Sequence, residues 1–328
     1  MEFSIPNKNN FCGGAFQDWL EVNLTDKCNG KCSWCVDRDG YHPEYHAQWD
    51  ELAMAIRTVG AKNVMLLGGE PTLYPLLRYL IHNISIYGGH KVWMTTNGSR
   101  LTKNFVNEHL RDLSGINISI HHHNLALNEE ITGIKLNKNT LINSIYELHK
   151  NGVPTRLNCN CISGYIDDKD DILSYVRFAR SVGAKNVRFA ELKVDEDNFV
   201  DLAKIFDYRF GLNDDPFSLG CVIDTVIDEM PVNFRQMCGL QTSKRVKPIN
   251  PKQYSKSVLY YDGIVYDGWQ TQERNVAMKK ELRKLLKDVE AGKKSAKEVE
   301  ALIKNIMDKE IEKATPASVI IESGGCQY

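Results

Sequence analysis

The sequence predicts an α/β fold in which six βα units build one parallel sheet, curled into a full or partial barrel. Three observations predict it. Short apolar stretches alternate with helix-like stretches from about residue 19 to 191. Residues 63–67 (NVMLL) form a continuous apolar run of the kind a covered parallel strand shows. Glycines at Gly60, Gly152 and Gly183 close helix-like stretches, where a left-handed C-cap is needed. Strands joined by helices run parallel with right-handed crossovers, and such a sheet curls on itself.

In chain order, the strand candidates are 20–25, 63–67, 91–95, 116–120, 155–162 and 186–190. Helix-like spacing covers 48–59, 76–87, 103–110, 138–151 and 170–182. After residue 191 the rhythm changes. Residues 194–217 are acidic and aromatic and read as a helix and a loop ending at 214–216. Residues 221–232 look β-like or mixed, and 257–269 read as two strands around the turn Asp262–Gly263. Residues 272–314 are strongly charged with helical spacing and read as two surface helices with a solvated face.

Composition excludes several classes. The 328 residues are 42% hydrophobic and 25% charged, as in an ordinary globular protein. A net charge of −1 supplies no field that would draw nucleic acid or an anionic membrane, so general nucleic-acid binding is not expected. Residues 1–10 lack the layout of a signal peptide, and no apolar run is long enough to span a bilayer. The expected location is therefore cytoplasmic, where nine cysteines read as thiols or metal ligands, not disulfides.

Cys28, Cys32 and Cys35 follow directly on the first strand, spaced by three and two residues. Three thiolates at that spacing can wrap one face of an iron–sulfur cluster and leave one iron open, as a cluster that activates a substrate requires. Gly30 lets the loop turn, and Trp34 offers an apolar wall beside a cluster. Zinc is the alternative; it takes four ligands, and Cys12 or His42 would have to supply the fourth.

Further motifs fall at successive strand ends, where α/β sheets carry their chemistry. Gly68-Gly69-Glu70-Pro71 follows the second strand; its glycines allow a ligand to approach the backbone, and its carboxylate can accept from an ammonium group. Thr95-Thr96-Asn97-Gly98 ends the third strand with side chains suited to ribose hydroxyls. Ser119 and His121 end the fourth, and Asn158 and Asn160 lie on the fifth. Each motif alone reads equally well as a turn or a helix cap. Together, on the side of the cysteine loop, they point to one site.

The cysteine triplet, GGEP and TTNG, in this order, resemble the radical S-adenosylmethionine (SAM) superfamily. The resemblance covers about residues 20–192 and implies a partial (βα)6 barrel with a C-terminal α+β extension. It implies Cys28, Cys32 and Cys35 as ligands of a [4Fe–4S] cluster and SAM bound to the open iron. It further implies Gly68, Gly69 and Glu70 at the methionine end of SAM, and Thr96, Asn97, Ser119 and Asn158 as further SAM contacts. Within the superfamily, the stretches VNLTDKCNGKCSWC, LLGGEPTL, TTNGSRL, NISI, ITG and VRFAEL are similar to the MoaA-like subgroup, whose molybdenum-cofactor enzyme rearranges GTP. The chain departs from that subgroup at its C-terminal end. Cys221, Cys238 and Cys326 contain no close pair, the subgroup's following arginine-bearing sequence is missing, and Gly324–Gly325 is only a loose echo of its C-terminal glycines. The run His121-His122-His123 stands where that subgroup usually has an aspartate. The fold and the SAM chemistry carry over; GTP as substrate does not.

The remaining candidates are read individually. Cys221 and Cys238, with Cys326, can form a second cluster, but free cysteines most often pack as small hydrophobes, and that reading is preferred. Cys159 and Cys161 alternate onto one face of the fifth strand, with packing the favoured role. His121 is a candidate acid–base group. Arg188 and Glu191 form an ion pair or touch ligand, and Tyr261 and Trp269 belong to the core. The expected layout is an N-terminal tail at 1–15, a radical SAM core at 16–217 and an extension at 218–328 that closes the barrel. The expected activity is reductive cleavage of SAM and hydrogen abstraction from a nucleotide-like or other small substrate. The electron comes from a donor such as flavodoxin or ferredoxin. A peptide substrate is the first alternative, and a non-catalytic iron–sulfur or zinc module the second.

Overall fold

The computed structural model describes residues 19–37, 42–192, 197–205, 222–235 and 257–267. Cys12, Cys221, Cys238, Cys326, Trp269, Gly324–Gly325, the tail and the charged stretch 272–314 lie outside the described residues.

The six expected strands are present as β1 (Trp19–Asn23), β2 (Asn63–Leu67), β3 (Lys91–Thr96), β4 (Gly115–Ser119), β5 (Thr155–Asn160) and β6 (Asn186–Ala190). Each pairs in parallel with the next. The intervening helices are α1 (Trp49–Val59), α2 (Leu77–His82), α3 (Lys103–His109), α4 (Leu125–Thr132), α5 (Lys138–Lys150) and α6 (Lys169–Ser181). Helix α4 was not expected; it begins at Asn124, whose side chain accepts from Ala126 N, and ends at Gly133 in a left-handed cap. Gly60, Gly152 and Gly183 take the positive φ their positions require. Glu51 closes a capping box on α1, and Thr102, Asn137 and Asp168 cap α3, α5 and α6.

Beyond residue 192 are a short helix, α7 (Leu202–Ile205), and two hairpins: β7 (Val222–Ile227) with β8 (Met230–Arg235), and β9 (Ser257–Leu259) with β10 (Val265–Asp267). β8 adds in parallel to β6 and β9 in parallel to β1. The described part of the extension thus lengthens the sheet at both edges, in the order β10-β9-β1-β2-β3-β4-β5-β6-β8-β7. The turn at Asp262–Gly263 falls where the sequence puts it, with Gly263 at φ 83°. Among the described residues, no helix is long and apolar enough to cross a membrane.

The two faces of the sheet differ in chemistry. Leu20, Val22, Val64, Leu66, Val92, Met94, Ile116, Ile118, Leu157, Val187, Phe189 and Phe234 are all buried in one apolar core. The edge of Tyr175 on α6 meets Phe189, which identifies this face as the helix side. Strand side chains alternate. The opposite, concave face therefore carries Met65, Trp93, Thr95, Asn117, Arg156, Asn158, Arg188 and Asn233, most of them polar. The apolar run at Asn63–Leu67 accordingly buries only Val64 and Leu66 fully, and its other three residues are half-buried on the concave side.

An aromatic layer fills the concave face near the start of the strands. Trp93 packs 6.4 Å from Trp19, and a β-carbon at Gly115 would stand 2.2 Å from the Trp93 ring. The indole needs the missing side chain. Gly115→Ala is expected to destabilise the protein by about 2 kcal/mol, as forced overpacking does, measured by urea unfolding against the parent chain.

Candidate functional site: a clamped three-cysteine loop

The loop leaving β1 crosses the carboxyl ends of the parallel strands and is held there at four points. The first is the turn after β2. Gly69 N donates to Thr25 O at 2.6 Å and Glu70 N donates to Lys27 O at 2.8 Å. A β-carbon at Gly69 would lie 2.4 Å from Lys27 O; Gly68, at φ 141°, would meet Thr25 O at 2.8 Å. In this structure the glycines let two backbones lie against each other.

The second point is the turn after β3. Glu70, 1% exposed, gathers it with its carboxylate. Oε1 accepts from Thr72 N (3.1 Å), Thr72 Oγ1 (2.6 Å) and Thr96 Oγ1 (2.5 Å), while Oε2 accepts from Asn97 N (2.7 Å). Asn97 Nδ2 then donates to Asn29 Oδ1 at 2.8 Å, and Asn29 Nδ2 donates to Ser99 Oγ at 2.9 Å. Four donors fill nearly all the acceptor capacity of the Glu70 carboxylate. Its visible role is to fix Thr96, Asn97 and, through them, the loop.

The third point is the end of α4, where Lys31 N donates to Thr132 O at 2.7 Å and Gly30 packs beside Thr132 and Ile134. The fourth is Trp34, buried with Ile162 and Leu192 in a small apolar cluster that also includes part of Cys32. The indole meets His121 edge-on at 5.2 Å. Trp34 therefore anchors the loop to the ends of β5 and β6. Thr132 and Asn128, which brace this corner, were not singled out from the sequence; their signal was the side-chain oxygen of a short helix near its own C-cap.

Between these clamps stand three cysteines outside any disulfide, with Cys28 and Cys35 exposed and Cys32 half-buried. Gly30 N donates to Cys28 Sγ at 3.3 Å. Although the residue is exposed, partial desolvation of its sulfur pushes the Cys28 thiol up, the Gly30 N–H opposes this, and the nearby Glu70 and Cys35 push it further up. Metal binding would supply the positive charge that offsets all of these. A tetrahedral zinc site brings sulfurs to about 3.8 Å of one another, given Zn–S bonds of about 2.3 Å. Among the described residues, the set of three ligand atoms gathered within 4.8 Å is Asp167, Asp168 and Asp171, not the cysteines. Three reachable thiols, set wide on a rigid loop with a backbone N–H on one sulfur, fit a multi-iron cluster better than a single ion.

The other candidates divide. Thr96 is buried, its hydroxyl bonded to Glu70 and accepting from Gly98 N at 3.1 Å. Ser119 and Asn158 are half-buried neighbours across β4 and β5 on the concave face, and Asn158 Oδ1 accepts from Arg156 Nε at 3.0 Å. Arg188 and Glu191 do not meet: Arg188 Nε donates to Asn233 Oδ1 at 2.6 Å, whereas the buried Glu191 accepts from Leu202 N at 3.2 Å. Cys159 and Cys161 are buried. Tyr261 is also buried, stacked on His46 at 4.7 Å.

His121 is locked. Its Nδ1 accepts from Asn160 N at 3.0 Å, its backbone N donates to Asn128, and burial lowers its pKa to about 4. The ring is thus neutral at physiological pH and ties β4 to β5 behind Trp34. His122 and His123 stack on each other at 4.4 Å, beyond the end of β4, where the backbone no longer alternates.

This fold and this loop define a class. Residues 22–179 match the family model of the Radical SAM superfamily. Its similarity within the superfamily runs to MoaA-like proteins. It is 28% identical over 202 residues to a GTP 3′,8-cyclase of Aquifex aeolicus (58% of this chain, 59% of that protein). It is also 28% identical over 204 residues to an S-adenosylmethionine-dependent nucleotide dehydratase of Lacinutrix mariniflava (58% and 42%). The chain thus spans between two-fifths and three-fifths of these curated relatives. Among solved structures, Streptococcus suis SuiB bound to the precursor peptide SuiA superposes with a TM-score of 0.54 at 18% identity, over 76% of this chain and 59% of SuiB. That likeness supports the partial-barrel fold.

Two expectations follow from the clamp. Glu70→Gln, which places an amide against four donors, should lower stability by about 2–3 kcal/mol and reduce the iron retained after reconstitution, read by thermal unfolding and iron analysis. His121 gives a pH dependence. The folded-state pKa of about 4 lies below the ordinary His value near 6.5, so the unfolded chain takes up the proton first as pH falls. Stability present above pH 6.5 should therefore be lost between 6.5 and 4, by about 3 kcal/mol. In His121→Gln this component of the pH slope should disappear, measured as the difference between the two unfolding profiles.

Proposed function

We propose that this chain is a radical SAM enzyme acting on a nucleotide-like or other small-molecule substrate seated on the concave face of the sheet. The observation that carries the reading is the clamped loop: Cys28, Cys32 and Cys35, none in a disulfide, held by the GGEP turn, the TTNG turn, α4 and Trp34. Cys28, Cys32 and Cys35 would hold a [4Fe–4S] cluster. Such a cluster, with SAM bound, would supply the one-electron reduction that cleaves SAM and starts hydrogen abstraction from the substrate.

The residues of the chain do the positioning. Glu70 fixes the turns of β2 and β3 against the loop, so the cysteines keep one spacing. Ser119 and Asn158 offer hydrogen-bonding groups on the concave face at the carboxyl end of the sheet, where SAM and substrate would lie. Trp34, Ile162 and Leu192 exclude water from one side of the loop. The similarity to the GTP cyclase and the nucleotide dehydratase supports a small, nucleotide-like substrate. A modified peptide is the second reading, favoured by the peptide-bound state of SuiB. An electron donor of the flavodoxin or ferredoxin type completes the proposal.

Anaerobically reconstituted protein tests it. About four irons per chain are expected, with a paramagnetic resonance signal of the reduced cluster that shifts with SAM. 5′-Deoxyadenosine should form with SAM and dithionite, and Cys32→Ala should lose all three properties. About eight irons would indicate a second cluster on the C-terminal cysteines. Zinc without iron, or a cluster indifferent to SAM, would refute the enzyme and leave a metal-stapled binding module.

A further inference from the structure

Asp37 is a buried carboxylate beside the cysteine loop that the site described above does not use. It lies two residues after Cys35 and is 5% exposed. Its partner is Asn23, fully buried at the carboxyl end of β1, whose Nδ2 donates to Asp37 Oδ1 at 2.9 Å. Leu20 and Val22 belong to the helix-side core, so Asn23 stands on the concave side of β1. A β-carbon at Gly68 would lie 3.0 Å from Asn23 Oδ1, so the amide is wedged against the GGEP turn. Asn23 Oδ1 itself has no hydrogen-bond partner. The amide gives its donor to Asp37 and leaves its own acceptor unpaired.

Two buried carboxylates thus flank the loop, and they differ. Glu70 is filled by four donors. Asp37 accepts from Asn23, and among the described residues no lysine or arginine forms an ion pair with it. The charges of both carboxylates reach the sulfur of Cys28, where they oppose a thiolate. An ionised carboxylate buried with so few partners is costly to the fold. An asparagine at position 37 would accept the same hydrogen bond from Asn23 without that cost. What the site keeps at position 37 is therefore the charge.

The effect of the charge depends on what the cysteines hold. A [4Fe–4S] cluster gains one negative charge when it accepts an electron, and a fixed anion beside it makes that gain less favourable. The reduced cluster then gives its electron up more readily, the direction that reductive cleavage of SAM needs. The Gly30 N–H at Cys28 Sγ acts in the opposite sense, as a hydrogen bond to a ligand sulfur does.

We propose that Asp37 tunes the cluster site: its buried negative charge, fixed by Asn23, lowers the reduction potential of a [4Fe–4S] cluster on Cys28, Cys32 and Cys35. This rests on the radical SAM reading above. In this role the carboxylate touches neither SAM nor substrate and acts through the cluster it stands beside.

The test uses the anaerobically reconstituted full chain. The one-electron couple of the cluster, from the 2+ to the 1+ state, is titrated with dithionite and mediators and followed by paramagnetic resonance, with and without SAM. All samples are held at about pH 8, where the carboxylate is ionised. In Asp37→Asn the ratio of reduced to oxidised cluster at a fixed potential should rise about tenfold, which is about 59 mV for a one-electron couple. Asp37→Glu should return the couple toward the parent value. Asp26→Asn removes an exposed carboxylate two residues before Cys28, and water screening should hold its effect below about threefold. Melting temperatures identify a variant that fails to fold; Asp37→Gln against Asp37→Glu then repeats the comparison at equal side-chain length.

The proposal is overturned if the ratio in Asp37→Asn falls or stays within about threefold of the parent, a shift too small for a buried charge. It is equally overturned if Asp26→Asn or Asp37→Glu moves the couple as far as Asp37→Asn does. Loss of the cluster from both neutral variants assigns Asp37 to holding the loop and overturns it as well. A SAM-responsive signal with an unmoved couple removes the tuning role and leaves the radical SAM reading intact. A parent chain that takes up no iron, or whose cluster ignores SAM, removes that reading instead.

Discussion

The buried carboxylate of Glu70 is the constraint on which the site depends. A charge taken out of water costs several kcal/mol unless its hydrogen-bonding capacity is filled. Here two backbone N–H groups and two hydroxyls fill it, and all four belong to the turns that end β2 and β3. The carboxylate is satisfied only when those turns hold one geometry. That geometry brings Gly69 and Glu70 N–H groups onto the carbonyls of the cysteine loop and Asn97 onto Asn29. The loop is therefore rigid because a charge beneath it has no other way to be satisfied.

Rigidity of this kind suits a cluster site. Three thiols on a free loop would collapse around a single ion or pair with one another; on a clamped loop their spacing is set by the sheet. The anchors come from every part of the core: β1 leads into the loop, β2 and β3 hold its first half, and α4 and the ends of β5 and β6 hold its second half through Thr132 and Trp34. His121 serves the same purpose, joining β4 to β5 where the indole rests. The sheet itself separates two tasks. Its helix-facing side is mostly apolar and supplies stability. Its concave side carries most of the polar and charged groups, several of them hydrogen-bonded to one another, such as Arg156 to Asn158 and Arg188 to Asn233.

Much of this was legible in the chain. The order of strands and helices follows from hydrophobic period and capping glycines, and Asn63–Leu67 and Asn186–Ala190 match the expected bounds. The three cysteines declare themselves by spacing. Roles were less legible. Gly68, Gly69 and Glu70 suggested a ligand contact, but their visible partners are the loop backbone and the neighbouring turn. A glycine pair marks a close approach without saying what approaches. His121 suggested an acid–base group, yet full burial and an N–H on its Nδ1 make it a neutral strut. Arg188 and Glu191 suggested an ion pair or a ligand contact; in the structure Arg188 bonds Asn233 and Glu191 accepts from Leu202 N.

The sequence by itself determined the elements, their parallel order and the spacing of three cysteines after β1, because period, caps and residue spacing are local properties written within a few residues. Tertiary structure alone decided what stands beside what. It set Glu70 under two turns that are more than twenty residues apart in the chain. It also added β8 to β6, bringing Arg235, Asn233 and Asp224 to a face already holding Arg156 and Arg188. Such neighbours depend on strand register and on which edge an extension joins, and neither is encoded by any short stretch of residues.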